Sequence, residues 1–385
     1  MKGYAWVLLI AMASMECVAG FDEGSTAYHA KDYTTALREF LPLANGGNAK
    51  AQFALGFIYL HGEGVTQDYT QAANWFRKAA EQGNTNAQYN LGEMYDKGQG
   101  VPQNFSQAID WYHKAAEQGD KYSQFNLGLM YFKGKGVPQD YRLAATWFRK
   151  AAEQGYSKAQ ANLGVMYGDG QGVPQDYTQA LQWYLKAAEQ GHVQALFNLG
   201  FIYLHGEGVA QDYRLAADWF RKAAEKGYED AQLKLGMMYL IGLGITQDYH
   251  EAATWLLKAA EQGNIEAQNS LGDIYRKGQG VPQNYTQAFQ WYLKASKQGQ
   301  TDALNNLGVM YTNGEGVAKN LVLAHIFFNL AAANGDGMAK NSRDVLSPQL
   351  TSAQLNEAQE LASKWVKNQP LPTITKTYPS SKKRK

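Results

Sequence analysis

The fold is decided by a stretch that the chain repeats, and residues 51–83 give it in full: AQFALGFIYLHGEGVTQDYTQAANWFRKAAEQG. Blocks with the same apolar, glycine and aromatic positions follow at steps of 36 residues, without an insertion. The eight full copies begin at Ala51, Ala87, Ser123, Ala159, Ala195, Ala231, Ala267 and Ala303. A fixed period of this length is typical of a solenoid, in which each unit buries its apolar face against its neighbours.

Two helices are predicted in each copy. The apolar residues of positions 51–59 recur at helical spacing, and those of positions 72–80 do the same. Asp68 stands where the second helix needs an N-cap, and Gly83 stands where a helix ends with a positive φ. No segment shows the alternation of a strand, so the sequence predicts an all-α chain of stacked helix pairs.

Five segments are expected along the chain. Residues 1–20 predict a signal peptide, because Lys2 precedes a short apolar run and then small residues that suit cleavage. The other segments are a degenerate capping repeat at 21–50, eight repeats at 51–338, a helical cap at 339–368 and a disordered basic tail at 369–385. The protein is therefore expected to be secreted or periplasmic, and to contact a membrane only if the signal segment stays uncleaved.

Composition and residue spacing exclude several functions. A net charge of +1 over 385 residues gives no field that would attract nucleic acid. Cys17 is the only cysteine and lies in the predicted signal segment, so no disulfide is expected. The seven histidines lack the spacing of metal ligands, and no hydrolase nucleophile elbow occurs. We therefore expect no metal, no cofactor and no enzymatic activity.

Two recurring motifs are interpreted as structural. The pair Gly62-x-Gly64 follows a helix and lacks a following Lys-Ser/Thr, so it predicts a turn with positive φ rather than a phosphate loop. Gly136 and Gly172 are equivalent glycines in later copies. The tryptophan of each second helix, first seen at Trp75, keeps a fixed place beside an Ala-Ala pair, which indicates a core residue rather than a sugar-stacking one.

The repeat resembles that of a known family. The order Ala-x-x-x-Leu-Gly-x-x-Tyr, Gly-x-Gly-Val, Ala-x-x-Trp and Lys-Ala-Ala-x-x-Gly is similar to the Sel1-like repeat, a branch of the tetratricopeptide-like solenoids, and it covers residues 51–335. The resemblance implies a right-handed α/α superhelical solenoid whose first helices line the inner surface. It also implies a role as an adaptor or scaffold for protein complexes, and many secreted bacterial members look like this chain.

The predicted binding surface lies on the first helices. Three positions at i, i+4 and i+7 change volume and polarity between copies, whereas a core position must keep roughly one volume. This stripe is therefore expected to face outward, although it is apolar in several copies, with asparagines beside it that could bond an extended peptide. The predicted partner-binding residues are Phe53, Phe57, Tyr89, Asn90, Phe125, Asn126, Leu129, Phe132, Asn162, Phe197, Asn198, Phe201, Leu233 and Met237. Packing between repeats and backbone hydrogen bonds are the structural alternatives for these residues.

The leading functional hypothesis is a non-enzymatic scaffold that holds a peptide or protein segment on the concave first-helix surface. One rival is a hydrolase like the β-lactamases of the cysteine-rich branch of the family, but the paired cysteines of that branch are missing. A second rival is a cell-wall glycan binder that uses exposed aromatic rings.

Overall fold

The computed structural model describes residues 20–365, 367, 369–370 and 372. Most of the predicted signal segment, including Cys17, and most of the predicted basic tail lie outside these residues. Within the described part the chain is built from helices and contains no strand, which confirms the predicted all-α fold. The chain forms two compact units, Met1–His192 and Val193–Lys385.

In the described part of the first unit, two helices precede four helix pairs. The two are α1, with helical residues 20–29, and α2 (Tyr33–Asn45). The first helices of the pairs are α3 (Ala49–His61), α5 (Thr85–Lys97), α7 (Lys121–Lys133) and α9 (Ser157–Asp169). The second helices are α4 (Tyr69–Glu81), α6 (Phe105–Glu117), α8 (Tyr141–Glu153) and α10 (Tyr177–Glu189). From α2 to α10 each helix packs against the next along the chain, so the pairs stack consecutively as the repeat predicts.

The second unit contains four pairs of the same kind and a terminal group of helices. Its first helices are α11 (Val193–His205), α13 (Glu229–Ile241), α15 (Ile265–Lys277) and α17 (Thr301–Asn313). Its second helices are α12 (Tyr213–Glu225), α14 (Tyr249–Glu261), α16 (Tyr285–Lys297) and α18 (Leu321–Ala333). A 3₁₀ turn (Ser347–Gln349) then separates α19 (Gly337–Leu346) from α20 (Ser352–Lys364). Both terminal helices pack against α18 and cover its apolar face.

Glycines form the turn inside each pair. Gly170 ends α9 in the left-handed conformation, and Gly172 follows with φ 71°. Gly136 has φ 76° in the preceding pair, so the predicted positive-φ turn is confirmed. The second loop glycine also lies against the preceding pair, because a Cβ placed on Gly172 would lie 2.1 Å from the carbonyl oxygen of Tyr141. This glycine therefore permits both the turn and the approach of neighbouring pairs.

The tryptophans of the second helices lie at the edge of the core. Trp75, Trp111, Trp147 and Trp291 are buried, which confirms the predicted core role for these four, while Trp183, Trp219 and Trp255 are half-buried. A lysine three residues further along covers each ring, as where the Lys150 Nζ lies 4.1 Å from the ring centroid of Trp147. Such a cation over a ring contributes about 0.5–1 kcal/mol at an exposed site and shields the ring from water.

A row of buried glutamines joins the helix pairs. Gln124 exposes 4% of its surface, and its Nε2 donates to the carbonyl oxygen of Ala116, at the end of the preceding pair, over 3.1 Å. Its Oε1 accepts a 2.8 Å hydrogen bond from the Nε2 of Gln154, at the end of its own pair. Equivalent backbone bonds are made by Gln52, Gln88, Gln160, Gln232 and Gln268. A buried amide with both ends bonded fixes the spacing of three helices.

Gln124→Ala is expected to lower the free energy of unfolding by about 1–3 kcal/mol, because it removes two side-chain hydrogen bonds that join neighbouring helices, each worth about 0.5–1.5 kcal/mol. Chemical denaturation followed by circular dichroism measures the change. Gln182→Ala is the control, since Gln182 is exposed in the middle of α10, and a change within about 0.5 kcal/mol is expected there. Equal effects of the two substitutions would contradict a structural role for the glutamine row.

No helix of residues 20–365 is both long enough and apolar enough to cross a lipid bilayer.

Candidate partner-binding surface

The predicted binding residues lie on the first helices of both units. We call the face that these helices form in each unit its first-helix surface. In the first unit this surface carries Phe53, Phe57, Tyr89, Asn90, Phe125, Asn126, Leu129, Phe132 and Asn162. In the second unit it carries Phe197, Asn198, Phe201, Leu233 and Met237. Within each unit, the candidate residues thus lie on successive first helices.

Most of the predicted apolar side chains are half-buried rather than fully exposed. The ring centroid of Phe125 lies 5.6 Å from that of Phe148 and 5.0 Å from that of Tyr156. The ring of Phe132 lies 5.2 Å from that of Tyr141. Phe53, Phe57, Tyr89, Leu129, Phe201 and Met237 are likewise half-buried. Each of these side chains packs against neighbouring helices with one edge and leaves another edge at the surface.

Two of the predicted residues are buried. Phe197 exposes 9% and Leu233 exposes 5% of its surface, so the expectation that the whole stripe faces outward is wrong at these positions. Phe197 is enclosed because the rings of Phe201 and Tyr228 both lie 4.8 Å from it. Leu233 belongs to the cluster around the fully buried Leu256. A varying position in a repeat can therefore still be covered by a large neighbour.

The predicted asparagines already have partners within the chain. The Nδ2 groups of Asn90 and Asn162 donate to backbone carbonyls one helical turn back, over 2.7 and 2.8 Å. The Oδ1 of Asn198 accepts a 3.1 Å bond from the Nε2 of Gln194, and Asn126 lies beside the hydroxyl of Tyr112. The alternative of intrahelical backbone bonding therefore holds for Asn90 and Asn162, which use one amide hydrogen in this way.

The first unit has an aromatic cavity of about 470 Å³ on its first-helix surface. Phe53 and Phe57 form one wall, and Phe21 and Tyr28 of α1 form another. Among the described residues that line the cavity, Lys50 is the one lysine and none is acidic. Asn84 and Asn86 also line it. The Tyr28 hydroxyl donates to a carboxylate oxygen of Glu63 over 2.5 Å, and burial together with this carboxylate raises the pKa of Tyr28 well above its usual value. This tyrosine is thus a neutral donor that holds α1 against the loop after α3.

The second unit has a cavity of about 500 Å³ with a different lining. Its apolar wall contains Phe197, Phe201 and Leu233, all predicted from the sequence. Its rim carries three carboxylates and one ammonium, contributed by Glu229, Asp230, Glu266 and Lys234. The cavity is open to solvent and combines an apolar wall with an acidic rim.

A row of rings crosses three first helices of the first unit. Tyr122, which is 45% exposed, lies 6.0 Å from Tyr89 and 5.3 Å from Tyr156, measured between ring centroids. Tyr89 was among the residues predicted from the sequence, and the other two were not. The sequence predicted a capping repeat at 21–50 but did not assign its first helix, α1, or the charged residues at the rims of both cavities to the binding surface. A comparison of the first two residues of each first helix could have found these charges, because lysines occur there in the first unit and acids in the second.

Metal ligation finds no support in the described residues, since residues 20–365 contain no group of three or more His, Cys, Asp or Glu side chains that could hold an ion.

Comparison with known proteins agrees with the repeat. The Sel1 repeat matches eight consecutive segments, at residues 49–84, 85–120, 121–156, 157–192, 193–228, 229–264, 265–300 and 301–336. The chain is similar to c5321, a protective antigen present in uropathogenic Escherichia coli strains, whose crystal structure displays an SLR fold. The two sequences are 33% identical and the TM-score is 0.55. The match covers 85% of this chain and 94% of c5321. A Sel1 repeat protein from Oxalobacter formigenes is 35% identical, with a TM-score of 0.64, over 80% of this chain and 90% of that one. Comparison with curated proteins finds no match.

These matches agree with the sequence motif and with the stacked helix pairs. The repeats cover most of the chain. The matches to both crystal structures cover nearly the whole length of those two proteins. Sel1 repeats form scaffolds that generally mediate protein–protein interaction, typically without enzymatic activity of their own. The resemblance noted in the sequence is therefore confirmed, and the chain belongs to the Sel1 repeat family.

Proposed function

We propose that the chain is a protein-binding scaffold whose first-helix surfaces hold a segment of a partner protein. The observation that carries this proposal is that the half-buried rings of Phe53, Phe57 and Phe201 keep open edges that line cavities of about 470 and 500 Å³. Helix packing uses one edge of each ring, and a bound side chain would cover the other. Apolar pockets of this size bind large side chains well.

The two cavities favour a segment over a compact small molecule. Each is open to solvent and lined partly by side chains of first helices, which α1 joins in the first unit. A segment of a protein can supply an apolar anchor to such a pocket and backbone polar groups to its exposed rim. A few anchors then account for most of the affinity, while the remaining contacts exclude water.

Replacing Phe57 and Phe201 by alanine is expected to reduce the recovery of crosslinked partners from the native host at least about tenfold, because each loses an apolar wall of its cavity. Val165→Ala is the matched control, since Val165 occupies the same repeat position and lines neither cavity. Circular dichroism and thermal melting confirm that each variant is folded. Full recovery of the same partners with the Phe57 and Phe201 variant would show that they bind elsewhere.

The proposed place of action is outside the cytoplasm, and this rests on residues 1–20 alone. Protein purified from the native host is expected to lack about twenty N-terminal residues, because signal peptidase removes the segment after its small residues. Intact-mass measurement tests this. A mass that includes Met1 would mean that the segment is an anchor or does not direct export.

A further inference from the structure

The cavity of the second unit has a charge that the proposed function leaves unspecified. Glu229, Asp230 and Glu266 place three carboxylates around its mouth, and Lys234 supplies the one ammonium group there. The wall beneath them is apolar and includes Phe201. Lys234 leans toward this wall, because its Nζ lies 5.7 Å from the ring centroid of Phe201.

We propose that this cavity binds a segment of a partner protein in which a large apolar side chain is flanked by lysine or arginine. The apolar side chain packs against Phe197, Phe201 and Leu233, and the flanking cations face the carboxylates of the rim. This inference rests on the proposed function and specifies the chemistry of its partner.

The carboxylates of the rim remain available to a ligand. Within residues 20–365, no ion pair closer than 4 Å involves Glu229, Asp230 or Glu266. Asp230 accepts a 3.3 Å hydrogen bond from Asn264, a neutral donor that leaves its charge in place. Burial, together with the nearby Asp230 carboxylate, raises the pKa of Tyr228. A cation entering this rim would meet an excess of negative charge in a partly desolvated site.

The acidic rim is specific to the second unit. The first two positions of its first helices hold Glu229, Asp230, Glu266 and Asp302. In the first unit the same positions hold Lys50, Lys121 and Lys158. Acids near a helix N-terminus stabilise the helix, and lysines there do the opposite. Helix stability therefore favours the acids of the second unit but not the lysines of the first, whereas different ligand charges for the two surfaces account for both.

The test uses the full chain and two fluorescein-labelled peptides, each with Phe-Leu at its centre. One peptide has two lysines on either side and the other has two glutamates. Fluorescence anisotropy at low salt is expected to show at least about tenfold tighter binding of the lysine peptide, and its affinity is expected to fall as salt screens the rim. The triple variant E229Q, D230N, E266Q is expected to weaken binding of the lysine peptide roughly tenfold. The matched triple variant E81Q, E153Q, E189Q, which neutralises three exposed carboxylates that line neither cavity, is expected to leave it unchanged.

Three results would overturn the inference. The first is equal affinity of the two peptides, and the second is an unchanged affinity of the lysine peptide for the triple variant. The third is binding that appears only after K382Q, K383Q, R384Q and K385Q are introduced, because the chain's own tail would then be the occupant. None of these results depends on partner recovery with Phe57→Ala and Phe201→Ala. Failure of the proposed function and failure of the proposed ligand charge can therefore be told apart.

Discussion

Gly172→Ala is expected to lower the free energy of unfolding by about 3 kcal/mol or more, the largest effect of any single methyl group considered for this chain. The left-handed backbone costs an alanine roughly 1 kcal/mol by itself. The added Cβ would lie 2.1 Å from the carbonyl oxygen of Tyr141 and 2.2 Å from its carbonyl carbon. Since both are backbone atoms, relief requires the loop to move away from the preceding helix pair.

Gly155→Ala is the matched control for this prediction. Gly155 has φ 79°, close to the 71° of Gly172, but a Cβ on it meets no heavy atom within 4 Å. The expected loss is therefore only about 1 kcal/mol, and the difference between the two variants isolates the contact between neighbouring pairs. Urea denaturation of both variants under identical conditions measures it. Similar midpoints would mean that the loop does not pack tightly against the preceding pair.

The second large effect concerns the helical glycine under an aromatic ring. Phe148 is fully buried, and a Cβ on Gly128 would lie 2.5 Å from one of its ring atoms. Phe148→Ala is expected to cost about 3–5 kcal/mol by leaving a cavity, and Gly128→Ala about 2 kcal/mol by overpacking. The double variant should cost at least about 1 kcal/mol less than the sum, because the added methyl group then occupies part of the cavity.

Gly168→Ala provides the control for the helical glycine. Gly168 also lies inside a first helix, but its nearest contact for a Cβ is the side chain of Ala180 at 4.0 Å. Alanine is the better helix former, so this variant is expected to gain about 0.5–1 kcal/mol. A loss at Gly168 equal to that at Gly128 would argue against the ring contact as the cause. Strict additivity in the double variant would argue the same.

The repeat carried most of the information about the fold. A period of 36 residues, two helical stretches per period and glycines at the ends were enough to predict stacked helix pairs, because such short helices are stable only when neighbours cover their apolar faces. The positive φ of Gly136 and Gly172 followed from turn chemistry. The contact of Gly172 with Tyr141 did not, since it depends on how closely two pairs approach.

The glutamine row shows a second limit of the sequence. Most copies have a glutamine at the position of Gln124. A glutamine on a helix is ordinarily exposed, and the helical periodicity was identified from apolar residues alone, so its burial was not predicted. Its burial follows from two partners, Ala116 and Gln154, which lie on other helices. A polar residue that stays constant between repeats is thus a usable signal for a buried hydrogen bond.

For the candidate site, variation between copies located the right helices but not the exposure of each side chain. Phe125 and Phe197 occupy the same repeat position, yet one is half-buried and the other buried. Phe197 has Phe201 against it in its own helix, where Phe125 has Leu129. The residue beside each ring differs between copies, and its size therefore decides what fraction of the ring is exposed.

The constant spacing of contacts between neighbouring pairs has a consequence for how such chains evolve. Gln124 bonds the residue eight positions before it, and Gly136 meets Phe105, 31 positions before it. Recombination that removes or duplicates 36 residues in register rejoins partners of the same kind, so that loss of residues 121–156 would bring Gln160 to the carbonyl that Gln124 now bonds. A slip of one residue would break every such contact at the junction. Copy number can therefore drift while the fold is kept, and a lineage can lengthen, shorten or re-order its binding surface by whole repeats before any single side chain is changed.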